Sequence, residues 1–317
     1  MATMKALTFD KYGPPAVLTV QDRPMPAPKS GEVLIKVRAS AINPSDVKNV
    51  AGLFNASLPR IPGRDYAGIV VGGDGDNGQE VWGSGPEFGV VRDGAHAEYV
   101  IAPADSLSAK PSHLSMEEAA TVGVSYLVAW SALIDAGALQ QGETLLIVGA
   151  VGRAAIQIAR WKGARVIGAD LREAPGVDAF INTKDADLPA EVRNLTDNKG
   201  ADFVLDAVGG PMFEPALRSL RLGGRQVAIT SAHDPRVNFN LVDFYHNLSR
   251  LIGFDTMKLQ GAQIAEIMGK LRPGFEAGRL KPPAVQAWPL HRGVEAYQAA
   301  EKGGSPAKHV LVPTRNG

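Results

Sequence analysis

The chain has 317 residues, enough for two domains and a large core. Hydrophobic residues make up 45% and charged residues 21%, and 33 Lys plus Arg balance 33 Asp plus Glu, so no basic field selects nucleic acid or an anionic membrane. Cysteine is absent, which excludes disulfides, thiolate catalysis and zinc sites built on sulfur. The N-terminus, MATMKALTFDKYG, lacks an apolar core of signal-peptide length and no run approaches a membrane span, so the expected location is the cytoplasm.

In chain order, Lys5 to Phe9 and Leu18 to Gln21 read as short strands, followed by a linker stiffened by Pro24, Pro26 and Pro28. Glu32 to Ala39 alternates apolar and polar residues as a half-buried antiparallel strand does. Strand signals recur at Ala67 to Val71, Glu80 to Trp82 and Ala97 to Ile101, between glycine-rich turns. Ser115-Met116-Glu117-Glu118 predicts a capping box opening a helix, and a helical stretch runs through Val128 to Leu133.

Thr144 to Val148 is an apolar run stopped by Gly149, as in a buried parallel strand. Gly152 to Lys162 favours a helix ended by Gly163, and Arg165 to Ala169 predicts a second strand with Asp170 at its end. Strand, glycine turn, helix, strand and terminal acid outline a dinucleotide site. Glycines admit a pyrophosphate, the helix N-terminus offers N–H groups, and the acid accepts from a ribose hydroxyl. Asp170 lies 21 positions after Gly149, yet the turn Gly149-Ala150-Val151-Gly152-Arg153 cannot be written as G-x-G-x-x-G, so a plain strand-to-helix connection stays open. Ala179 to Asn182, Asp202 to Asp206, Gln226 to Ile229 and Leu251 to Phe254 continue the strand rhythm, with helical segments expected between them, which predicts a doubly wound parallel sheet. Val285, Pro289-Leu290 and His309 to Val312 return to β character.

This order resembles the medium-chain dehydrogenase/reductase superfamily. Ala41-Ile42-Asn43-Pro44-Ser45-Asp46 is similar to A-x-N-P-x-D, and Pro62-Gly63-Arg64-Asp65-Tyr66-Ala67-Gly68 to P-G-x-[DE]-x-A-G. Gly94 to Tyr99 resembles G-[GA]-x-A-E-Y, Leu222 to Arg225 resembles L-G-G-R, and Ala307-Lys308 stands at the usual G-K. The resemblance implies an α/β protein with a GroES-like β-rich catalytic domain over 1–123, a Rossmann cofactor domain over 124–257, and a return to the first domain over 258–317. The places where relatives hold catalytic zinc correspond to Asn43, Arg64-Asp65 and Val124, so the resemblance points to the zinc-free quinone oxidoreductase branch. That implies hydride transfer from a reduced nicotinamide to a quinone or conjugated enone, in a homodimer paired along Leu251 to Phe254. A nucleotide-binding or structural protein of the same fold with little turnover is the alternative.

By the same resemblance Asn43 stands where it can bond the nicotinamide ribose or the substrate oxygen, or it caps the turn before Pro44. Arg64 replaces a histidine and either attracts an anionic group or serves as a surface or domain-interface arginine. Tyr66 and Tyr126 are candidate proton donors or packing residues, and Phe54 stands where relatives can carry a tyrosine. The cofactor residues implied are Gly149, Val151, Gly152 and Arg153 at the pyrophosphate turn, and Asp206 and Val208 on the adenosine side, with Asp206 and Phe254 as ordinary strand-end residues the alternative. Val128, Thr230, Ser231, Phe254 and Asp255 fall on the nicotinamide half, and Lys308 completes the set. Relatives read G-A-x-G-G-V-G where this turn is shorter, and they carry threonine where Val128 stands. The family's cofactor is NADPH, whereas Asp170 favours NADH and Arg172 can neutralise it or clasp a 2′-phosphate.

Overall fold

The protein is described as a computed structural model covering residues 2–149, 152–231 and 235–313. Fifteen strands and nine α-helices are found among these residues. The strands are β1 (Thr3–Thr8), β2 (Thr19–Pro24), β3 (Glu32–Ala41), β4 (Asp65–Gly73), β5 (Glu80–Ser84), β6 (Tyr99–Pro103), β7 (Ser108–Ala109), β8 (Thr144–Val148), β9 (Arg165–Asp170), β10 (Ala179–Asn182), β11 (Ala201–Asp206), β12 (Leu220–Ala228), β13 (Arg250–Gly253), β14 (Ala284–Pro289) and β15 (Ala307–Val312). The helices are α1 (Pro44–Val50), α2 (Met116–Ala120), α3 (Gly123–Trp130), α4 (Gly152–Trp161), α5 (Leu188–Leu195), α6 (Phe213–Arg218), α7 (Leu241–His246), α8 (Gly261–Glu276) and α9 (Gly293–Lys302). The chain divides into two units, Met1–Leu127 with Met257–Gly317, and Val128–Thr256.

The first unit is built on β3, whose apolar side chains Val33, Ile35 and Val37 are fully buried. β3 pairs antiparallel with β4 and β6 along most of its length and with β15 at its C-terminal end. The expected alternation is incomplete, because Leu34 and Ser40 on the other face are also buried. Pairing closes only the edges of β3; its faces lose water to the elements packed over them, α2 among these. The Ser115 hydroxyl accepts from the Glu118 amide at 3.1 Å and the Glu118 carboxylate accepts from the Ser115 amide at 2.9 Å, so α2 opens with the expected capping box.

The second unit is one six-stranded sheet in the order β10-β9-β8-β11-β12-β13, with every pairing parallel. Counted from β8, this is the order 3-2-1-4-5-6 of a doubly wound dinucleotide fold, and the order reverses between β8 and β11. Helices connect consecutive strands except at one place. Residues 171–178, between β9 and β10, contain no helix. Parallel neighbours ordinarily need a dozen or more residues, because the chain must return along the strand. Here an extended return suffices: the Asp178 carboxylate accepts from the Val166 amide at 2.8 Å, the Asp178 amide donates to the Val166 carbonyl at 2.8 Å, and Arg160 holds the Gly176 carbonyl at 2.7 Å. Val177 lies over Gly168, where an added Cβ would come within 2.9 Å of its side chain. Two β9 features, the glycine at 168 and the Val166 amide held by Asp178, therefore stand in for a helix.

Arg225, the last residue of the Gly223-Gly224-Arg225 motif, ties the start of β8 to β12. Its guanidinium grips both Glu143 oxygens, at 2.8 and 2.6 Å, and donates to the Gly137 and Ala138 carbonyls. The fork leaves few donors unused at 6% exposure, and it holds the Glu143 carboxyl below its ordinary range against the opposing effect of burial. Arg225→Ala strands that carboxylate and should lower the unfolding free energy by about 3–5 kcal/mol, read as a lower urea midpoint with an unchanged slope.

Candidate active site

In the first unit, one carboxylate organises the candidate residues. Asp65 begins β4, is 0% exposed, and has no bulk water to solvate it. Its Oδ2 accepts from Asn43 Nδ2 at 3.0 Å and from the Lys308 ammonium at 3.3 Å, while Oδ1 accepts from the Val124 amide at 2.9 Å. The loop after β3, the start of α3 and β15 thus meet on one acid. Gly123 permits this approach, since a Cβ there would lie 2.2 Å from Asp65 Oδ1. Lys308 also donates to the Thr121 carbonyl at 3.0 Å and reaches Ser125 Oγ at 3.4 Å. A pocket of about 270 Å³ is lined by Asn43, Ser125, Lys308 and His309. The Trp288 indole lies 3.1 Å from His309 Nδ1 and donates to it, which leaves the His309 proton on Nε2.

The structure separates the remaining candidates in this unit. Arg64 is buried beside Ser45 and the Gly85 carbonyl, so it is not a surface arginine. Phe54 is half-buried at the end of the turn after α1. The two tyrosine donor candidates are corrected: both are 1% exposed. Tyr66 packs edge-on against Phe88 within the β core, and burial pushes its phenol well above its ordinary value. The Tyr126 hydroxyl donates to the Lys281 carbonyl at 2.7 Å while its ring rests on Phe275. Apolar packing claims both rings because each sits on a core-facing position of its element.

Beneath Asn43 lies a buried polar layer. The Asp46 carboxylate accepts from the Asn43 amide at 2.7 Å, the Tyr297 hydroxyl lies 2.9 Å from His96 Nδ1, and His96 Nε2 lies 3.3 Å from the Ala41 carbonyl. Burial pushes Asp46 up to about 6 and holds His96 down to about 4.

In the second unit, Gly149 ends β8 at the point where strand order reverses. Its φ of +90° and the 2.4 Å approach of an added Cβ to Val208 require glycine. Gly152 opens α4, and Gly149, Gly152, Arg153, Asp170 and Arg172 line one cavity of about 160 Å³, closed below by Ile156 and Phe180. Val151 lies outside the described residues. Asp170 Oδ1 already accepts from the Leu171 amide at 2.6 Å, and neither Arg153 nor Arg172 has an acceptor among the described residues.

The Asp206 side chain is engaged by the fold itself. It is 0% exposed, and its oxygens accept from the Val208 and Gly209 amides at 3.0 and 2.8 Å and from Gln226 at 3.2 Å. It therefore fixes the turn that carries Val208 against Gly149. Thr230 and Ser231, exposed, follow β12, with the Thr230 carbonyl close to Gly209. Half-buried Phe254 and exposed Asp255 follow β13, and half-buried Val128 lies on α3. Sequence reasoning missed Ser45, His96, Tyr297 and His309 as parts of the polar layers. Their partners lie 19 to 201 positions away, and only a side-chain type, never a spacing, could have signalled them.

The titrations of Asp46 and His96 oppose one another. His96 titrates near 6.5 when unfolded and about 4 when folded, so its stabilising contribution is lost as pH falls through that window. Asp46 titrates near 3.8 unfolded and about 6 folded, so folding gains stability as pH falls from about 6. Asp46→Asn removes this offset. Relative to the wild type, the variant should lose roughly 1.4 kcal/mol per pH unit between about pH 6 and about pH 4, measured by urea unfolding across that range.

Comparison with known proteins agrees with this architecture. The family model described as "Alcohol dehydrogenase GroES-like domain" matches residues 29–112, and "Zinc-binding dehydrogenase" matches residues 150–270. The zinc-type alcohol dehydrogenase-like protein C337.11 of Schizosaccharomyces pombe is 36% identical over 88% of this chain and 87% of its own. The quinone oxidoreductase of Sus scrofa is 30% identical over 98% of both chains. The solved structure of mycobacterial Rv1454c complexed with NADPH superposes with a TM-score of 0.83 at 26% identity, covering 98% of this chain and 100% of that one. Among the described residues no helix is long and apolar enough to cross a membrane, and no group of three His, Asp or Glu is placed to hold a metal ion. The chain belongs to the medium-chain dehydrogenase/reductase superfamily, in its quinone oxidoreductase branch, and is an oxidoreductase with a GroES-like unit and a Rossmann unit.

Proposed function

We propose that the protein is an NADPH-dependent reductase that delivers hydride to a quinone or conjugated enone without zinc. The observation that carries this reading is the cradle at the reversal point of the parallel sheet, where Gly149, the α4 N-terminus, Arg153 and Arg172 surround one cavity. The N–H groups of the first turn of α4 and two guanidinium groups without an acceptor among the described residues suit a phosphorylated dinucleotide. Asp170 disfavours a 2′-phosphate, but one of its oxygens is occupied by the Leu171 amide and two arginines outweigh its charge. The NADPH complex of the mycobacterial relative supports the same choice.

Zinc does not fit the corresponding centre. Its one carboxylate, Asp65, already accepts from an amide, a backbone N–H and an ammonium, and the neighbouring side chain is the guanidinium of Arg64. A bound reduced nicotinamide would supply a hydride, and a quinone or enone accepts it readily because conjugation spreads the incoming charge. The chain's own residues then have to bind, orient and exclude water. Lys308 and Asn43, locked by Asp65, offer fixed donors for this, and the exposed Leu251 on edge strand β13 supports a homodimer formed along that edge.

Titration of the purified protein with NADPH and NADH, followed by tryptophan-to-nicotinamide energy transfer, tests the reading. NADPH should bind at least about tenfold more tightly, the worth of one charge-assisted bond, and Arg172→Ala should erase most of that preference. Binding of neither cofactor would sink it, and binding without reduction of any quinone or enone would favour a nucleotide-binding protein with little turnover. Leu251→Glu should convert a dimer to a monomer in sedimentation; a wild-type monomer overturns the pairing.

A further inference from the structure

Among the described residues two arginines, Arg64 and Arg225, are each 6% exposed, and they differ in what satisfies them. Arg225 forks onto Glu143 and two carbonyls. Arg64 has only the Gly85 carbonyl at 3.2 Å from Nε and Ser45 Oγ at 3.5 Å from Nη1. Among the described residues it makes no ion pair, so most of its five N–H donors have no acceptor. A buried guanidinium in that state is costly and calls for a reason beyond packing.

The surroundings are also incompletely satisfied. Asp46 Oδ1, Asn49 Oδ1 and Ser84 Oγ are buried without a hydrogen-bond partner. Asp46 and Asn49 share one face of α1 at a spacing of three, and the charge of Arg64 acts on Asp46. Ser84 pairs across the sheet with Asp65 and precedes Gly85, whose carbonyl holds Arg64. Ser45, two residues after Asn43 in the first turn of α1, is the partly exposed member of this cluster.

We propose that Arg64 is the electrophile of the reductase: its free guanidinium N–H, with the Ser45 hydroxyl, donates to the acceptor's carbonyl oxygen as negative charge develops there. The inference rests on the reductase reading of the preceding section. With an enone, hydride adds to the β-carbon, the alkene π pair moves to join the α-carbon to the carbonyl carbon, and the carbonyl π pair settles on oxygen. Arg64 and Ser45 hold that oxygen as an enolate until a proton from water adds at the α-carbon. The acceptor gains two electrons and two hydrogens, and the nicotinamide is oxidised by two electrons. The preferred substrates are acceptors whose reduction places charge on a carbonyl oxygen, which a fixed cation in a dry site stabilises without reorganising.

The test uses the full chain with NADPH and 1,4-naphthoquinone. Arg64→Ala should lower kcat on the order of 10²–10³-fold with little change in the KM for NADPH. Guanidinium chloride at millimolar concentration should restore part of that kcat, and Arg64→Lys should retain part of it. Unchanged kcat in Arg64→Ala, or a loss that guanidinium does not restore in a folded variant, overturns the assignment. Should Arg64→Ala not fold, Ser45→Ala decides: an unchanged thermal midpoint with kcat roughly tenfold lower supports the pair, and unchanged kcat overturns it. A wild-type protein that reduces no quinone or enone overturns the reductase reading and this inference with it. An active wild type with unaffected variants overturns this inference alone.

Discussion

The buried carboxylate of Asp65 is the constraint on which the first unit depends. An ionised acid with no exposed surface is tolerated only where donors replace its lost hydration. Asn43, the Val124 amide and Lys308 do so from three separate parts of the chain. The C-terminal strand is therefore bound to the first domain electrostatically as well as through its pairing with β3. This explains why the chain must return after the parallel sheet: without β15 there is no counter-ion for the acid at the head of β4. The same arrangement leaves Lys308 and Asn43 with little rotational freedom, which is what a site that positions a ligand requires.

A second organising device is the reversal of strand order in the parallel sheet. At the ends of β8 and β11 the backbone is shaped by Gly149, which no side chain could replace against Val208, and by Asp206, which holds the facing turn through two amides. The Asp206 carboxylate is spent on shaping the turn that carries Val208. Nearby, the helix-free return of residues 171–178 leaves room beside α4. Ile156 and Phe180 then line a cavity where a crossover helix would ordinarily pack, and the two arginines at its mouth give it a cationic rim.

The buried arginines show how one side chain takes different duties at equal burial. Arg225 is consumed by Glu143 and two carbonyls, so its motif serves stability. Arg64 keeps donors in reserve. The difference is one of partners rather than of exposure, and neither composition nor motif spacing distinguishes them.

Much of the architecture was legible in the amino-acid order because it depends on local periodicity: the apolar run of β8, the glycine stops, the Ser115–Glu118 box and the succession of later strands. The sequence by itself also determined the excluded chemistry, since a chain without cysteine and with Asn43, Arg64 and Val124 at the key places cannot assemble a thiolate metal site. Tertiary structure alone decided the rest. It showed that Tyr66 and Tyr126 belong to the core, that Asp206 is scaffold, that β9 and β10 join without a helix, and that Arg64 meets Ser45 rather than an acid. These outcomes turn on contacts between residues 19 to 201 positions apart and on which face of an element is covered. Burial and partnership are properties of the packed chain, and they set whether a polar group is structural or left free to act.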